Sequence, residues 1–175
     1  LQTDTLDFDR IDLPEDYHMA VIHSGVFRQL NEGRYKERKE ECDAVKAALG
    51  RDDICLAMQA ALIGANLSDV TMRRAQHCIT EHQRTAAATD ALRGQDMENF
   101  GALMTRSHIS MRDDFDITIP AIDKLAEDAV RHGAIGARMT GGGFGGCIVA
   151  CVEKTALEEW KAALLADNPK AFYVC

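Results

Sequence analysis

The sequence predicts an α+β domain in which strands and helices segregate into layers. Its 175 residues are the size of one domain. Apolar residues make up 46% of the chain and charged residues 27%, which is typical of globular proteins. Short apolar stretches and helical patterns follow one another in the order strand, several helices, strand, strand, helix, strand. This order predicts a sandwich with a helical insertion after the first strand.

The first strand and the start of the insertion are predicted between residues 18 and 64. His18–Val26 has a β-branched apolar centre and predicts a strand. Glu32–Gly50 predicts a helix that Gly50 ends. The apolar residues expected on one face of this helix are Tyr35, Cys42, Val45 and Leu49. Residues 52–64 predict a second, shorter helix.

Two longer helices complete the insertion. Asp69–Arg93 predicts the longer one, with Ser68 as its N-cap and Gly94 as its terminator. Asp96–Met111 predicts the next helix. Together they place most of the helical residues of the chain between the first strand and the second.

The last third of the chain returns to alternating elements. Ile119–His132 predicts a helix with Thr118 as its cap and Pro120 in its first turn. Strands are predicted at Ile135–Thr140 and Cys147–Glu153. The final helix and strand are predicted at Thr155–Ala166 and Ala171–Cys175.

Charge and cysteine usage exclude several classes of partner. The net charge of −8 disfavours nucleic acid and anionic membranes, which bind basic surfaces. The longest apolar run is far shorter than the roughly 20 residues of a membrane span.

The chain starts at Leu1 without a targeting pattern, and we expect it to be part of a longer protein. Six cysteines without a C-x-x-C pair predict reduced core thiols in a cytoplasmic protein: Cys42, Cys55, Cys78, Cys147, Cys151 and Cys175.

A glycine-rich loop is the strongest functional candidate in the sequence. The residues of this loop are Gly141, Gly142, Gly143, Phe144, Gly145 and Gly146. Backbone amides without side chains around them can bind phosphate oxygens, so the loop predicts contact with a phosphate or substrate. A plain hairpin turn is the alternative. The loop also satisfies G-x-G-x-x-G, but a strand follows it where a dinucleotide site needs a helix.

Two helical segments carry candidate ligands or acid–base groups. His77 with Glu81, and Cys78 with His82, have the i,i+4 spacing of metal-binding pairs. A zinc site needs three or four ligands, so an ordinary charged helix face is the favoured interpretation.

A further polar group stands at the end of the Asp96–Met111 helix. Its members are His108, Arg112, Asp113 and Asp114. These could bind a metal or act as acid and base, yet a helix-end turn capped by Asp is favoured.

Tyr35, taken alone, predicts a half-buried anchor with its hydroxyl near the surface. From the residues alone the reaction type is not accessible.

Together, these segments resemble the C-terminal half of galactokinases, in the GHMP small-molecule kinase family. The glycine-rich segment "ARMTGGGFGGCIVACV" is similar to the third glycine-rich motif of that family. The segments "SHISMRDDFDITIPAIDKL", "RYKERKEEC" and "RRAQHCITEHQRT" resemble galactokinase blocks, in the right order. The resemblance covers essentially the whole chain. It implies a ferredoxin-like α/β sandwich over residues 17–175, with residues 1–16 ending the strand or linker of an N-terminal half.

The resemblance also implies ATP- and Mg²⁺-dependent phosphorylation of galactose at its anomeric hydroxyl, in the cytoplasm. Tyr35 would hydrogen-bond the sugar, and the loop from Gly141 to Gly146 would line the cleft near the transferred phosphate. The catalytic base, the ATP-binding loop and the Mg²⁺ ligands would belong to the N-terminal half, as partner of this chain. We therefore expect no catalytic residue and no metal ligand in these 175 residues, and no turnover by this chain alone.

Three other functions remain open on the sequence. Another GHMP kinase, for mevalonate or homoserine, would share the glycine loop but lack the other blocks. A galactokinase-like sensor would bind galactose and ATP without catalysis. An autonomous interaction domain would expose a large apolar face.

Overall fold

Four antiparallel strands form one sheet in the order β2-β3-β1-β4. The computed structural model describes residues 5–27 and 32–175. The strands are β1 (Tyr17–His23), β2 (Gly136–Thr140), β3 (Cys147–Glu153) and β4 (Phe172–Tyr173). The central pair runs β1 against β3 from Tyr17 opposite Glu153 to His23 opposite Cys147. This topology confirms the predicted α+β sandwich of ferredoxin-like type.

One face of the sheet carries the main hydrophobic core. Two helices cover this face: α4 (Pro120–Arg131) and α5 (Leu157–Asp167). Ile22 and Ile148, both fully buried, point from the sheet into this core. The buried residues of α4 recur at helical spacing, at Ile122, Leu125, Ala126 and Ala129. Trp160 of α5 donates its ring N–H to the carbonyl of Ala129 at 2.9 Å, so its polar atom is satisfied inside the core.

The opposite face of the sheet packs against two helices of the insertion. These are α2 (Asp69–Arg93) and α3 (Met97–Asp113). Met19, Val149 and Cys151 pack there against apolar side chains of α3. Gly101 of α3 lies against Gly136 of β2, and a Cβ added at Gly136 would lie 2.1 Å from the Gly101 carbonyl oxygen. Helix and strand backbones are therefore in direct contact at these two glycines.

The rest of the insertion forms a separate small core away from the sheet. Helix α1 (Glu32–Leu49) packs against α2, and both contribute to this core. Its buried members are Val45, Ile54, Ala57, Leu62, Ala75 and Ile79. A 3₁₀ helix at Gln59–Leu62 follows α1, and a second one at Lys154–Ala156 precedes α5.

Most predicted helices and strands are confirmed, with their ends within two or three residues of the predicted ones. Two predictions about helices are wrong. Residues 52–64 contain only the short 3₁₀ helix, because the Asp53 carboxylate accepts the amide of Leu56 and stabilises a turn instead. Thr118 is buried and is not the cap of α4, whose N-cap is Ile119 without a side-chain hydrogen bond. Ile119 is extended because it precedes Pro120, and a residue before proline disfavours the helical conformation.

The termini of α2 and α3 follow the predicted capping pattern. Ser68 Oγ accepts the amide of Thr71 at 3.2 Å, and Asp96 Oδ1 accepts the amide of Asn99 at 3.1 Å. Gly94 is the C-cap of α2. In the described ranges, no helix is both long enough and apolar enough to cross a membrane.

Candidate functional site

The glycine loop joins β2 to β3 and has an unusual backbone. Every loop residue from Gly141 to Gly146 except Gly142 has a positive φ, including Phe144 at 58°. Such angles are costly for residues with a side chain, which is why glycine dominates the segment. Gly141 and Gly142 are exposed to solvent, while Gly143 is buried beneath them.

Two neighbouring segments hold the base of the loop. Phe144 donates its amide to the carbonyl of Ile117 at 2.7 Å. On the other side, Ser24 donates to the Gly146 carbonyl at 2.9 Å, and Gly146 donates to the Val26 carbonyl at 3.0 Å. The loop is therefore clamped between the turn after α3 and the segment after β1.

The exposed rim of the loop has free donors and a cation beside it. Within residues 5–27 and 32–175, no hydrogen-bond partner is found for the amides of Gly141 and Gly142. The Arg34 guanidinium lies over the Phe144 ring, 4.1 Å from its centre. Unpaired amides in a loop that also contacts an arginine are suited to bind an anion such as a phosphate group.

Tyr35 lies next to Arg34 in the first turns of α1 and is exposed. Its relative exposure is 69%, so the predicted half-buried anchor is wrong. The inner face of α1 at this level is occupied by Arg38 instead, which is 6% exposed. The Tyr35 side chain is thus open to solvent, next along α1 from the arginine that contacts Phe144.

A cluster of charges, buried at Arg38 and Arg74, connects α1, α2 and the turn that supports the loop. Arg38 and Arg74 both bind Glu41 Oε2 at 2.7 Å. Both also lie 3.5 Å from Asp116 Oδ2, and Arg34 lies 3.6 Å from the other oxygen of that carboxylate. Asp116 has a φ of 54°, so these three arginines hold it in a strained turn one residue before Ile117.

These charged residues were missed at the sequence level, although a signal for them exists. Arg38, Glu41, Val45 and Leu49 follow the i, i+3, i+7, i+11 spacing of one helix face. Helical spacing places all four side chains on one face, although the first two, Arg38 and Glu41, are charged. A search for apolar residues alone therefore passed over Arg38 and Glu41 and selected Tyr35, which is exposed in the structure.

The predicted charged face of α2 is also corrected. Arg74 and His77 are buried, and His77 Nδ1 lies 3.0 Å from Ser110 Oγ while its ring stacks on Phe115. Burial lowers the pKa of His77 to about 4, so the ring is neutral near pH 7. Glu81 binds Arg84, Arg138 and the hydroxyl of Ser107.

The polar group at the end of α3 splits among separate partners. Asp113 binds Arg112 at 2.8 Å, whereas Asp114 accepts a hydrogen bond from Ser110 at 2.8 Å. The two carboxylates therefore do not form a pair. His108 is buried and accepts the amide of Met139 through Nδ1 at 3.1 Å, which directs its N–H toward Asp123. Burial lowers the pKa of His108 as well.

Across the part of the chain that the structure describes, no group of three metal-binding side chains lies close enough to hold an ion. The Asp116 carboxylate near the loop is already engaged by arginines. The donors at the loop are amides and a guanidinium, which bind anions rather than cations.

The chain is similar to known kinases in sequence and in structure. Residues 88–170 match the family model for the GHMP kinases C terminal domain. The galactokinase of Glaesserella parasuis serovar 5 is 39% identical over 187 aligned residues, which cover 98% of this chain and 48% of that protein. The chain thus spans about half the length of the curated relative that it matches.

Solved structures give the same result. The crystal structure of Lactococcus lactis galactokinase complexed with galactose matches with a TM-score of 0.87 and 27% identity, over 94% of this chain and 45% of that one. L. major mevalonate kinase matches with a TM-score of 0.65 and 17% identity, over 95% of this chain and 44% of that one, which supports the fold alone. Residues 88–170 therefore match a GHMP kinase C-terminal domain, and almost the whole chain is similar to about half the length of a galactokinase.

Proposed function

We propose that this chain is the C-terminal part of an enzyme that transfers the γ-phosphoryl group of ATP to galactose and forms galactose 1-phosphate. The observation that carries the proposal is the similarity to galactokinases over 98% of the chain, at 39% identity. The mevalonate kinase match, at 17% identity, supports only the shared fold.

In this proposal, the exposed rim of the glycine loop lies beside the phosphate that is transferred. The unpaired amides of Gly141 and Gly142, together with the Arg34 guanidinium, supply donors for phosphate oxygens. Phosphoryl transfer depends mainly on positioning and on neutralising negative charge, and fixed donors suit that task. The remaining loop residues, Gly143, Phe144, Gly145 and Gly146, keep the rim in place.

Tyr35 is proposed to contact the sugar. Its exposed hydroxyl follows Arg34 on α1, and Arg34 stacks on the loop residue Phe144. A hydroxyl group can both donate to and accept from a sugar hydroxyl. Exposure of an aromatic side chain at this position is consistent with a surface that a ligand or another domain covers.

The rest of the site is proposed to come from a second region of about this length, consistent with relatives about twice as long as this chain. That region would precede residue 17 in the chain. Residues 1–16 would be the end of its last strand or the linker that follows it. It would supply the catalytic base, most ATP contacts and the ligands of Mg²⁺. Residues 17–175 would form the C-terminal domain, in a protein of the cytoplasm.

The test is an assay of the native polypeptide that contains this chain. ADP release should depend on galactose, and the product should be galactose 1-phosphate by phosphorus NMR. Mevalonate and homoserine should not replace galactose. Binding of galactose and ATP without ADP release would contradict the kinase proposal and favour a sensor. The 175-residue chain alone should bind ATP weakly and not turn over.

A variant of Tyr35 tests the proposed sugar contact. Tyr35→Phe removes one exposed hydroxyl, and we expect a five- to tenfold rise in KM for galactose, about 1 kcal/mol, with KM for ATP unchanged. Tyr17→Phe is the matched control, because Tyr17 lies at the far end of β1 from the loop. Equal galactose KM values for Tyr35→Phe and wild type would contradict the sugar contact.

A further inference from the structure

One turn of the chain contacts both the glycine loop and the arginine beside it. This turn, residues 115–117, follows α3. The carbonyl of Ile117 accepts the amide of Phe144 at 2.7 Å, which fixes the loop backbone. The carboxylate of Asp116 lies 3.6 Å from Arg34, and the Arg34 guanidinium lies over the Phe144 ring. Consecutive residues of one turn therefore contact both parts of the proposed phosphate-binding rim.

The backbone on either side of Asp116 is fixed by hydrogen bonds. The Ile117 amide donates to the carbonyl of Met111 at 3.1 Å. The Phe115 carbonyl accepts a hydrogen bond from Arg38 Nη1 at 3.3 Å. Between these two residues, Asp116 has a φ of 54°, a left-handed conformation that aspartate and asparagine adopt more readily than most residues. The Asp116 carboxylate therefore projects from a backbone with little freedom.

The Arg34 guanidinium is constrained from two directions. Its central carbon lies 4.1 Å from the centre of the Phe144 ring, and its Nη2 faces Asp116 Oδ1. An arginine side chain is long and flexible, and an aromatic ring together with a carboxylate restricts its rotamers. Among the residues that the structure describes, no hydrogen bond is found from this guanidinium, so its N–H donors are available to an anion.

The two carboxylates of the charge cluster contact different sets of arginines. Glu41 Oε2 lies 2.7 Å from both Arg38 and Arg74. Asp116 lies 3.5 Å from the same two arginines, and it is the carboxylate found beside Arg34 within the described ranges. Removing the charge of Asp116 would therefore leave Arg38 and Arg74 paired with Glu41. It would leave Arg34 without a neighbouring carboxylate.

We propose that Asp116 is a positioning residue that holds the Arg34 guanidinium over Phe144 of the glycine loop. The inference rests on the proposed phosphoryl transfer, in which Arg34 and the loop amides bind phosphate oxygens. Because Asp116 and Ile117 are consecutive, the guanidinium and the loop backbone keep a fixed relation to each other. Donors that are in place before the phosphate arrives need no rearrangement during the transfer. Asp116 acts through Arg34 and does not itself contact the phosphate, since like charges repel.

A kinetic double-mutant cycle on the native polypeptide that contains this chain tests the proposal. Asp116→Asn removes the charge and keeps a residue that tolerates a positive φ. We expect kcat to fall about tenfold, with KM for galactose changed by less than about twofold. In an Arg34→Ala background, the same substitution should have little further effect, because Asp116 acts through Arg34. Effects of the two substitutions that multiply, or a wild-type kcat in Asp116→Asn, would overturn the proposal.

Glu41→Gln is the matched control within the charge cluster. It removes a carboxylate that contacts Arg38 and Arg74, and in the described part of the chain it makes no ion pair with Arg34. Any fall in kcat that comes from loosening the cluster should therefore multiply with the effect of Arg34→Ala. If Glu41→Gln is coupled to Arg34→Ala as strongly as Asp116→Asn is, the cluster acts as a whole and a specific role for Asp116 is wrong.

Side-chain NMR separates a failure of this proposal from a failure of the proposed kinase activity. Protons that lie over an aromatic ring are shifted to high field, so we expect such a shift for the δ-methylene protons of Arg34, assigned by their loss in Arg34→Ala. Asp116→Asn should reduce the shift, and Glu41→Gln should retain it. This pattern in a protein that releases no ADP would contradict the kinase proposal alone. A full shift in Asp116→Asn would overturn the positioning role at any level of activity.

A second variant keeps the test valid if Asp116→Asn does not fold. Asp116→Gly also removes the carboxylate, and glycine adopts a φ of 54° at no steric cost. Arg38 and Arg74 keep Glu41 as their counter-charge in both variants, so we expect both proteins to fold. If neither variant folds, the carboxylate is required for the fold itself and the proposal fails.

Discussion

Gly143 is a single residue whose missing side chain determines the shape of the glycine loop. It has a φ of 83°, and an added Cβ would lie 2.6 Å from the carbonyl oxygen of Ile117. That carbonyl also accepts the amide of Phe144, so moving it away would break the hydrogen bond that holds the loop. We expect Gly143→Ala to lower the free energy of unfolding by about 3 kcal/mol, measured by chemical denaturation.

Gly50→Ala is the control that separates backbone strain from steric clash. Gly50 also has a positive φ, 62°, but its added Cβ meets nothing within 4 Å. It should therefore cost only the left-handed conformation, about 1 kcal/mol. Equal losses for the two variants would contradict a steric role for Ile117 in fixing the loop.

His77 makes the stability of the protein dependent on pH. Its pKa in the folded protein, about 4, lies below the usual histidine pKa of 6.5. The unfolded chain therefore binds more protons between these values, so stability is fully present above pH 6.5 and is lost as pH falls toward 4. The loss is up to about 3 kcal/mol at 1.36 kcal/mol per pKa unit. Denaturation measured from pH 7 to pH 4 should show this slope.

The variant His77→Gln should flatten the pH profile. An amide can replace the donor to Ser110 but does not titrate, so we expect a smaller slope between pH 6.5 and 4. Buried His108 contributes in the same direction and should leave a residual slope. His82→Gln, on the exposed side of the same helix, should keep the wild-type profile. An unchanged profile in His77→Gln would contradict the assignment of this slope to His77.

At the scale of elements, Glu41 joins α1 to α2 through two arginines. Arg38 and Arg74 are each less than 10% exposed, and Glu41 Oε2 is the nearest counter-charge of both, at 2.7 Å. Glu41→Gln would leave two buried guanidinium groups facing a neutral amide. We expect a loss of about 3 kcal/mol in the free energy of unfolding, because removing one partner of a buried ion pair leaves uncompensated charge.

The control for this prediction is on the same helix. Glu40→Gln removes a carboxylate that pairs with Lys36 at the surface, where both side chains are more than half exposed. Such pairs contribute about 0.5 kcal/mol or less. Comparable losses for Glu40→Gln and Glu41→Gln would mean that the charge cluster does not hold α1 against α2.

The sequence predicts elements well wherever local signals decide them. Ser68 and Gly94 mark the ends of α2, because capping depends on neighbouring backbone groups. The failures come from interactions that a local pattern does not contain. Arg38 replaces Tyr35 on the inner face of α1 because two of its partners, the carboxylate of Asp116 and the carbonyl of Phe115, come from elsewhere in the chain. The glycine loop was found from sequence, but its clamp on Ile117 depends on tertiary contact.

At the scale of the whole molecule, the hydrophobic residues form distinct cores that differ in how they are tied to the sheet. The core under α4 and α5 includes Ile148, which lies in the central pair of strands and is fully buried. The small core beside the sheet includes Val45 of α1, also fully buried, and contains no strand residue. We therefore expect the small core to open independently of the sheet, in the sense of local unfolding.

Amide hydrogen exchange on paired variants tests this division. Ile148→Ala should cost about 3 kcal/mol and lower protection throughout the described chain, because opening the sheet exposes both of its faces. Val45→Ala should cost about 2 kcal/mol and lower protection mainly in α1 and residues 52–67, while the amides of β1 and β3 keep wild-type exchange. If Val45→Ala speeds exchange in β1 and β3 as much as in α1, the cores unfold together. Polar contacts would then couple the insertion to the rest of the molecule: the charge cluster of Arg38, Glu41, Arg74 and Asp116, and the ion pair of Glu81 on α2 with Arg138 on β2.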